Sequence, residues 1–591
     1  MGCTTSSEQR DLQEARDNLN YEIGHSDVFK VKRFKRLENP DVFDHVLVAY
    51  PRSIDDLVRL KKVATGLDYR VVTSGLQETL QKSPRCIKMI YQRRRLDIED
   101  TIKHLYGEVP PINEESFSNW CGNQTNTSVF AARPQNLQHI QTLVKYARDK
   151  KWRVRCAGRK HSWSPLFADE GQMLLYMDQM ESDYPNGERI LDVLAGVPLE
   201  DLKKFELNNK VNLPCNTVLT VVQLVSVVVS GCHGVGWNFQ TPADYVTKIR
   251  IVNSFGELVT YSTDNMSQLR AVVTSYGLFG VVYDVRITMF PQKNAKVLNT
   301  YNTVSEIYYK PENMKTLVEG NQSVEMFWLP FNSFPTSEYN PKNDKIWIRL
   351  INQTDVTHVL EPKSYYENQS HWALVTETAL NKYTPILNNN PELFTFADWV
   401  SFHLIKDELY PEKTIYQEFP NAVHWRPHLE IGVVYDMEFA FDFKGDYGMI
   451  CRAIQFVMDK VVSYHKIKKY PLNVVLEMRW MAYSDAYMCP AVIGNPKNGG
   501  SGHVVYLEIL SVIGTEGWED FCKEIGTEWM KYGGVPHLAK QWSFLPGIDA
   551  HIRKMFGSNM VQFLKELKAS KADPDGIFQN DRLQELFYSK T

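Results

Sequence analysis

Nine cysteines are spread over the chain, at Cys3, Cys86, Cys121, Cys156, Cys215, Cys232, Cys451, Cys489 and Cys522, and no two form a Cys-x-x-Cys pair. An odd count at wide spacings excludes a disulfide scaffold and gives no zinc motif, so a reducing compartment and no metal site are expected. Charge of one sign is also lacking: 66 Lys and Arg face 70 Asp and Glu, for a net charge of −4. A nucleic-acid partner needs a clustered basic face, and the short run Arg93 to Arg95 reads as a solvated surface instead. No long apolar run is present. Val218 to Val229 is the most apolar stretch, is interrupted by Gln223, and falls short of the ~20 residues a bilayer span requires. Met1 to Asn20 is polar and has no apolar core, so no signal peptide is read there. The sequons at Asn123 and Asn352 would matter only in a secreted chain.

The 591 residues are too many for one compact core, and several domains are expected. Apolar content of 43% and charged content of 23% are those of an ordinary globular protein. The start, Met1-Gly2-Cys3-Thr4-Thr5-Ser6, fits the pattern for myristoylation of Gly2, with Cys3 placed for a palmitoyl chain. It resembles the dual-acylated termini of Src-type kinases and G-protein α subunits. One acyl chain binds membranes marginally and two anchor stably, so the expected location is the cytoplasmic side of a membrane, or the cytosol without acylation.

Residues 1–24 form a polar tail. Two later segments share one layout, separated by 83 residues: Val46 to Pro51, Ile54 to Ala64 and Tyr69 to Gly75, then Val129 to Pro134, Leu137 to Ala147 and Trp152 to Gly158. Each reads as strand, amphipathic helix, strand and glycine turn, a β-α-β unit. At that offset Leu60 meets Leu143, Arg70 meets Arg153, Val71 meets Val154 and Gly75 meets Gly158, whereas His161 meets Glu78. Residues 25–115 are therefore read as a degenerate, structural copy. Short strands and helices alternate over 116–292, and more aromatic, strand-like pieces such as Glu325 to Pro330 and Ile431 to Phe439 fill 293–591. The expected fold class is α+β with at least two lobes.

The chemistry-bearing residues begin with Ala157-Gly158-Arg159-Lys160-His161-Ser162-Trp163-Ser164, a glycine turn after a strand, where backbone N–H groups can approach an anion. An apolar helix then ends in Ser230-Gly231-Cys232-His233-Gly234, and Tyr276-Gly277-Leu278-Phe279-Gly280-Val281 closes the region. In order and spacing this set resembles the FAD-binding (PCMH-type) domain of the vanillyl-alcohol oxidase family, with the aldonolactone oxidoreductases and alditol oxidase most similar. The resemblance implies a two-lobed FAD-binding domain over 116–292 and a substrate-binding cap domain over 293–591. It implies that Gly158 to Ser162 and Ser164, Ser230 to Gly234, and Gly277, Gly280 and Val281 contact FAD. It also implies that His161 occupies the position joined covalently to the flavin in several relatives.

Leu476-Glu477-Met478-Arg479-Trp480 resembles the family's Glu-x-Arg strand, whose two charged side chains share one face because side chains alternate. A carboxylate accepts hydrogen bonds from substrate hydroxyls, and a fixed guanidinium stabilises negative charge where water is excluded. Pro536-His537-Leu538-Ala539-Lys540 resembles the family's Pro-His-Trp-Ala-Lys segment, and Asp573 to Asn580 its closing Asp-Pro-x-Gly-x-Phe-x-Asn. The chain departs from the family pattern where valines at 225 and 227–229 replace small residues, where Cys232 replaces a threonine, and where Leu538 replaces a tryptophan. Tyr506-Leu507-Glu508 lies where relatives place polar substrate contacts.

The expected reaction is oxidation of an alcohol group in a sugar lactone or polyol, with hydride transfer to flavin N5 and reoxidation by molecular oxygen to hydrogen peroxide. A desolvated Lys540, its pKa lowered toward neutrality, is the expected base, with Glu508 or His537 as substitutes. Two alternatives stand beside it. One is a membrane-tethered dehydrogenase using another electron acceptor. The other is a non-catalytic flavin-binding scaffold.

Overall fold

The computed structural model describes residues 109–589 apart from 181–189, 334–337, 358–383 and 425–432, together with the backbones of four strands before residue 90. The acylation pattern at Gly2 and Cys3, the helical stretch from Ile54 to Ala64 and the Gly75 turn lie outside the described residues. The chain divides into two compact units, Met1–Val109 and Pro110–Thr591.

The first unit contains β1 (Phe29–Lys35), β2 (Phe43–Ala49), β3 (Arg70–Thr73) and β4 (Cys86–Met89) in the order β1-β2-β4-β3. β1 is antiparallel to β2, and β4 is parallel to both β2 and β3.

The second unit opens with β5 (Asn113–Ser118), β6 (Thr125–Ala132), β7 (Val154–Ala157) and β8 (Met173–Tyr176), ordered β5-β6-β8-β7. Its strand directions repeat those of the first sheet, one antiparallel pair followed by two parallel ones. The equivalence noticed in three segments thus extends to four strands. β5 straddles the expected limit at 115/116, because its partner β6 draws it into the second unit. The crossover from β6 to β7 is α1 (Leu137–Asp149), capped by the Asn136 side chain accepting from His139 N–H, with Ile140, Leu143, Val144 and Ala147 buried at helical spacing.

A second sheet joins β9 (Ile190–Leu194), β10 (Val246–Val252), β11 (Leu258–Ser262) and β12 (Val281–Thr288) in the order β11-β10-β12-β9. The short apolar helix α2 (Leu224–Val229) ends beside it.

The C-terminal half is built on an eight-stranded antiparallel sheet. Its strands are β13 (Asn294–Thr303), β14 (Ser323–Trp328), β15 (Lys345–Thr354), β16 (Thr414–Glu418), β17 (Val434–Phe441), β18 (Val475–Ala482), β19 (His503–Val512) and β20 (Val535–Pro536), ordered β16-β13-β15-β14-β18-β19-β17-β20. Helices α3 (Leu393–Leu404), α4 (Tyr447–Lys466) and α5 (Trp518–Lys531) flank it. Trp529 of α5 packs edge-on against Phe439 and Phe441 of β17. Central strand β18 is buried at every position, so the Glu477–Arg479 pair is an internal feature and not an exposed cross-strand ion pair.

Candidate active site

The two flavin-type lobes and the eight-stranded sheet enclose a cavity of about 310 Å³. Its apolar walls include Leu166, Met177, Val222, Val225 and Val282, and a group of charged side chains closes one end. Largely apolar walls with a few convergent polar groups are the usual make-up of a cofactor or substrate cavity.

The turn after β7 forms one wall, with Gly158, Arg159, Lys160, His161 and Ser162 lining the cavity. A Cβ at Gly158 would lie 2.2 Å from Gln223 Oε1, and that oxygen accepts from Arg159 N–H at 2.9 Å. The glycine therefore admits Gln223, and one backbone donor of the turn is used within the protein. The His161 ring stacks on Trp120, with centroids 4.7 Å apart. Both serines also bond to the C-terminal segment. Ser162 Oγ donates to Ala539 O at 3.2 Å, and Ser164, which does not line the cavity, donates to Lys540 O. Both fasten this lobe to the segment that carries Lys540.

Ser230, Cys232 and His233 line the cavity from the turn after α2. Gly231 and Gly234 do not: Gly231 takes a positive φ of 66°, and a Cβ at Gly234 would sit 2.1 Å from Asn216 O. Backbone conformation requires glycine at 231 and packing requires it at 234. Gly277 and Gly280 reach the cavity, whereas Val281 begins β12 fully buried behind it. The closing Asp573–Asn580 motif also has a structural role. Buried Arg155 donates to Leu166 O, Tyr276 O and Phe578 O at 2.6–2.8 Å, and Asn580 donates to Pro165 O and Phe167 O at 2.8 Å.

The charged end is a row of three glutamates on adjacent strands. Glu438 of β17 lies opposite Glu508 of β19, which lies opposite Glu477 of β18. All three are buried, as is Asp436 on the same face of β17. Carboxylates facing one another in a low-dielectric site require interleaved cations. Arg479 supplies one, donating to Glu508, to Glu438 Oε1 at 3.0 Å, and pairing with Glu477 Oε1 at 3.3 Å. Lys540 supplies a second, donating to Asp436 and to Glu508 Oε1 at 2.7 Å, with its ammonium 4.5 Å from the Trp163 ring centre. The His233 ring lies against the same row. Its Nδ1 faces Gly234 O and its Nε2 faces Glu438 Oε1, each at 2.9 Å, so both ring nitrogens meet acceptors. Tyr506 stacks on the other side of that ring, with centroids 3.5 Å apart.

This arrangement reverses the expectation for Lys540. Burial alone would lower its pKa, but Asp436, Glu508 and Glu438 together hold the ammonium well above the ordinary lysine range. It is a fixed cation and not a base. His537 is shifted the other way: burial lowers it to about 4, against the pull of Glu438. Its Nδ1 accepts from Ala539 N–H at 3.2 Å, so the neutral ring carries its proton on Nε2 and serves as a donor. Burial opposes ionisation of Glu438, yet His233 and Arg479 hold it well below the usual carboxylate range. Burial likewise opposes Glu508, which Lys540 and Arg479 hold low. Asp436 goes up, by burial and by the Glu508 charge.

Sequence reasoning missed Asp436 and Glu438. Their signal was present: two acidic residues at i and i+2 inside the apolar run Val433 to Phe441, the same period-two pattern that marked Glu477 and Arg479. Glu508 falls in register with Glu477, which places the Tyr506–Glu508 segment firmly in the site.

The residues present fit a flavin dinucleotide. Arg159 and Lys160 stand at one wall, apolar surface follows, and donors and carboxylates converge at the far end. The fold and cavity define an FAD-binding protein of the PCMH type, within the vanillyl-alcohol oxidase family. Residues 129–262 match the FAD binding domain family. Residues 285–586 match the D-arabinono-1,4-lactone oxidase family, half of the chain, and the protein belongs to that family. Among curated relatives, L-gulono-1,4-lactone dehydrogenase of Mycobacterium tuberculosis is 22% identical over 246 residues, 40% of this chain and 56% of the relative. D-arabinono-1,4-lactone oxidase of Debaryomyces hansenii is 22% identical over 249 residues, 38% of this chain and 44% of the relative. The chain spans about half the length of the curated relatives it matches. A crystal structure of cholesterol oxidase from B. sterolicum superposes with a TM-score of 0.68 at 15% identity, covering 81% of this chain and 97% of that one. At that identity the likeness shows the fold alone.

Proposed function

We propose that the protein is an FAD-dependent oxidoreductase that oxidises an alcohol carbon of a small sugar lactone or polyol, with oxygen as the electron acceptor and hydrogen peroxide as the product. The observation that carries this is the buried carboxylate row, Glu438, Glu508 and Glu477, closing the end of a cavity whose other walls are the flavin-type turns. Bound FAD supplies the hydride acceptor. Glu477, facing the cavity, accepts the substrate hydroxyl's hydrogen bond and then its proton. Glu508 is less suited to that role, because Lys540 and Arg479 both donate to it. Arg479 and Lys540 stay charged throughout and stabilise negative charge as it develops. Neutral His537 donates one further hydrogen bond. Gly158 to Ser162, Ser230, Cys232, His233, Gly277 and Gly280 form the cofactor wall, with His161 as the attachment point for the flavin.

Relatives carry both oxidase and dehydrogenase names, which leaves a second reading, transfer to an acceptor other than oxygen. The pattern at Gly2 and Cys3 supports acylation by myristate and palmitate and a location on the cytoplasmic face of a membrane.

The test is the visible spectrum of the purified protein, followed by acid precipitation and anaerobic mixing with D-arabinono-1,4-lactone, L-gulono-1,4-lactone and xylitol. Bleaching of a flavin spectrum by one of them, restored rapidly by air, is the expected result. Slow return in air assigns the dehydrogenase reading. Yellow colour retained in the pellet, and lost from it in His161→Ala, places the covalent bond. A protein that stays colourless after incubation with FAD refutes the proposal.

A further inference from the structure

Helix α3 is apolar on two sides. Phe394 and Phe402 are buried, and Phe402 belongs to a core cluster with Trp163, Val434 and Leu510, which also line the cavity. The opposite side shows Leu393, Phe396 and Val400 to solvent, at 45%, 55% and 41% exposure. These positions recur at i, i+3 and i+7, so they form one stripe. Ile386 is 49% exposed just before the helix, and Ile467, 63% exposed, adjoins Lys468, which pairs with Glu392 at the start of α3. Three of the ten exposed large apolar side chains among the described residues therefore lie on this one stripe. A surface stripe of this kind requires a partner.

We propose that this patch docks onto a lipid bilayer, seating Phe396 and its neighbours at the acyl boundary and holding the active-site cavity close to the membrane. Three observations select lipid as the partner. The chain begins with a two-acyl pattern at Gly2 and Cys3, so the choice of lipid rests on the acylation reading. Trp399 lies on the helix beside Phe396, ring centroids 5.9 Å apart, the amphipathic ring suited to the membrane interface. The charges at the patch edge are paired among themselves, Glu392 with Lys468 and Lys406 with Asp407 at 3.1 Å. Docking is therefore by apolar insertion and not by attraction to anionic headgroups. Because the other side of α3 packs against residues of the cavity's own wall, docking holds the cavity close to the bilayer.

The test uses the full-length holoprotein carrying Gly2→Ala, which removes acylation and leaves the patch as the sole anchor under test. It should co-sediment with phosphatidylcholine vesicles, with little change in bound fraction as salt rises, since no screened charge pair drives binding. Phe396→Asp and, separately, Val400→Asp should each lower the bound fraction roughly tenfold, with melting temperature and flavin content unchanged. Equal vesicle binding by the variants overturns the proposal, as does absence of binding by the Gly2→Ala chain. A dimer that Phe396→Asp converts to monomer, with vesicle binding unaltered, also overturns it and assigns the stripe to a second copy. Mass spectrometry of the N-terminal peptide reads acylation independently, so a failure of that reading is visible apart from this one.

Discussion

Replacing Lys540 by methionine tests the charge arrangement most directly. The lysine's ammonium contacts Asp436 and Glu508, both buried, and lies over the Trp163 ring. Methionine keeps most of the volume and removes the charge. Breaking a buried ion pair on one side costs about 3–5 kcal/mol, because the remaining charge is left uncompensated. In this variant the cost depends on pH. Without the ammonium, which pulls it down, the Asp436 carboxyl that burial and the Glu508 charge already raise goes up further. A carboxyl raised in the folded state binds a proton more tightly there, so folding loses stability as pH climbs past the unfolded carboxylate range near ~4. The variant should therefore approach wild type at pH 5 and fall furthest behind at pH 8. For a unit of this size, unfolding entropy converts 1 kcal/mol to roughly 1 °C, so scanning calorimetry at a fixed rate should show an apparent Tm about 3–5 °C lower at pH 8. Adding Asp436→Asn should recover much of the loss, since Glu508 keeps Arg479. A Tm difference independent of pH, or a double variant no better than the single, would refute the account.

Asp436→Asn alone should cost under about 1 kcal/mol, because burial and the facing Glu508 already disfavour ionisation of the carboxyl it replaces. Glu438→Gln, which strips a carboxylate from both His233 and Arg479, should cost several times more in denaturant unfolding. His537 is lowered to about 4, so the folded state refuses a proton that the unfolded chain accepts, and stability drains as pH falls from ~6.5 to ~4. His537→Gln should remove roughly 3 kcal/mol of that acid lability, seen as a flatter stability profile over this window. Gly158→Ala drives a methyl into Gln223 and disorders the turn beside Arg159. Its flavin-to-protein absorbance ratio after gel filtration should fall, and an unchanged ratio would exclude the turn from the cofactor wall.

The parts of the site that were legible in the sequence are those where a local motif and a three-dimensional role coincide. Glu477 and Arg479 sit two apart on a strand, and alternation alone puts them on one face. The His161 and His233 turns carry glycines whose spacing survives in the fold. The charges were less legible. Lys540 reads as a desolvated amine in isolation, and only the register of β17 against β19 shows that Asp436 and Glu438 surround it and its neighbour Arg479. Ser164, Gly231, Gly234 and Val281 belong to real motifs but serve packing or backbone conformation, because a motif records that a residue type is required and not which neighbour requires it. The role of Asp573–Asn580 depends on carbonyls reaching a guanidinium more than 400 positions away, which no window on the chain can show.

The repeated β-sheet means that one polypeptide carries two subdomains of the same pattern, both able in principle to compete for a single berth during folding. Tandem units of like topology are prone to such misassembly. One side chain that sets them apart is Arg155 of the later copy, which donates to the carbonyls of Tyr276 and Phe578, whereas the position 83 residues earlier is Val72. The later sheet is latched by the end of the chain, so its closure waits on the last residues to be made.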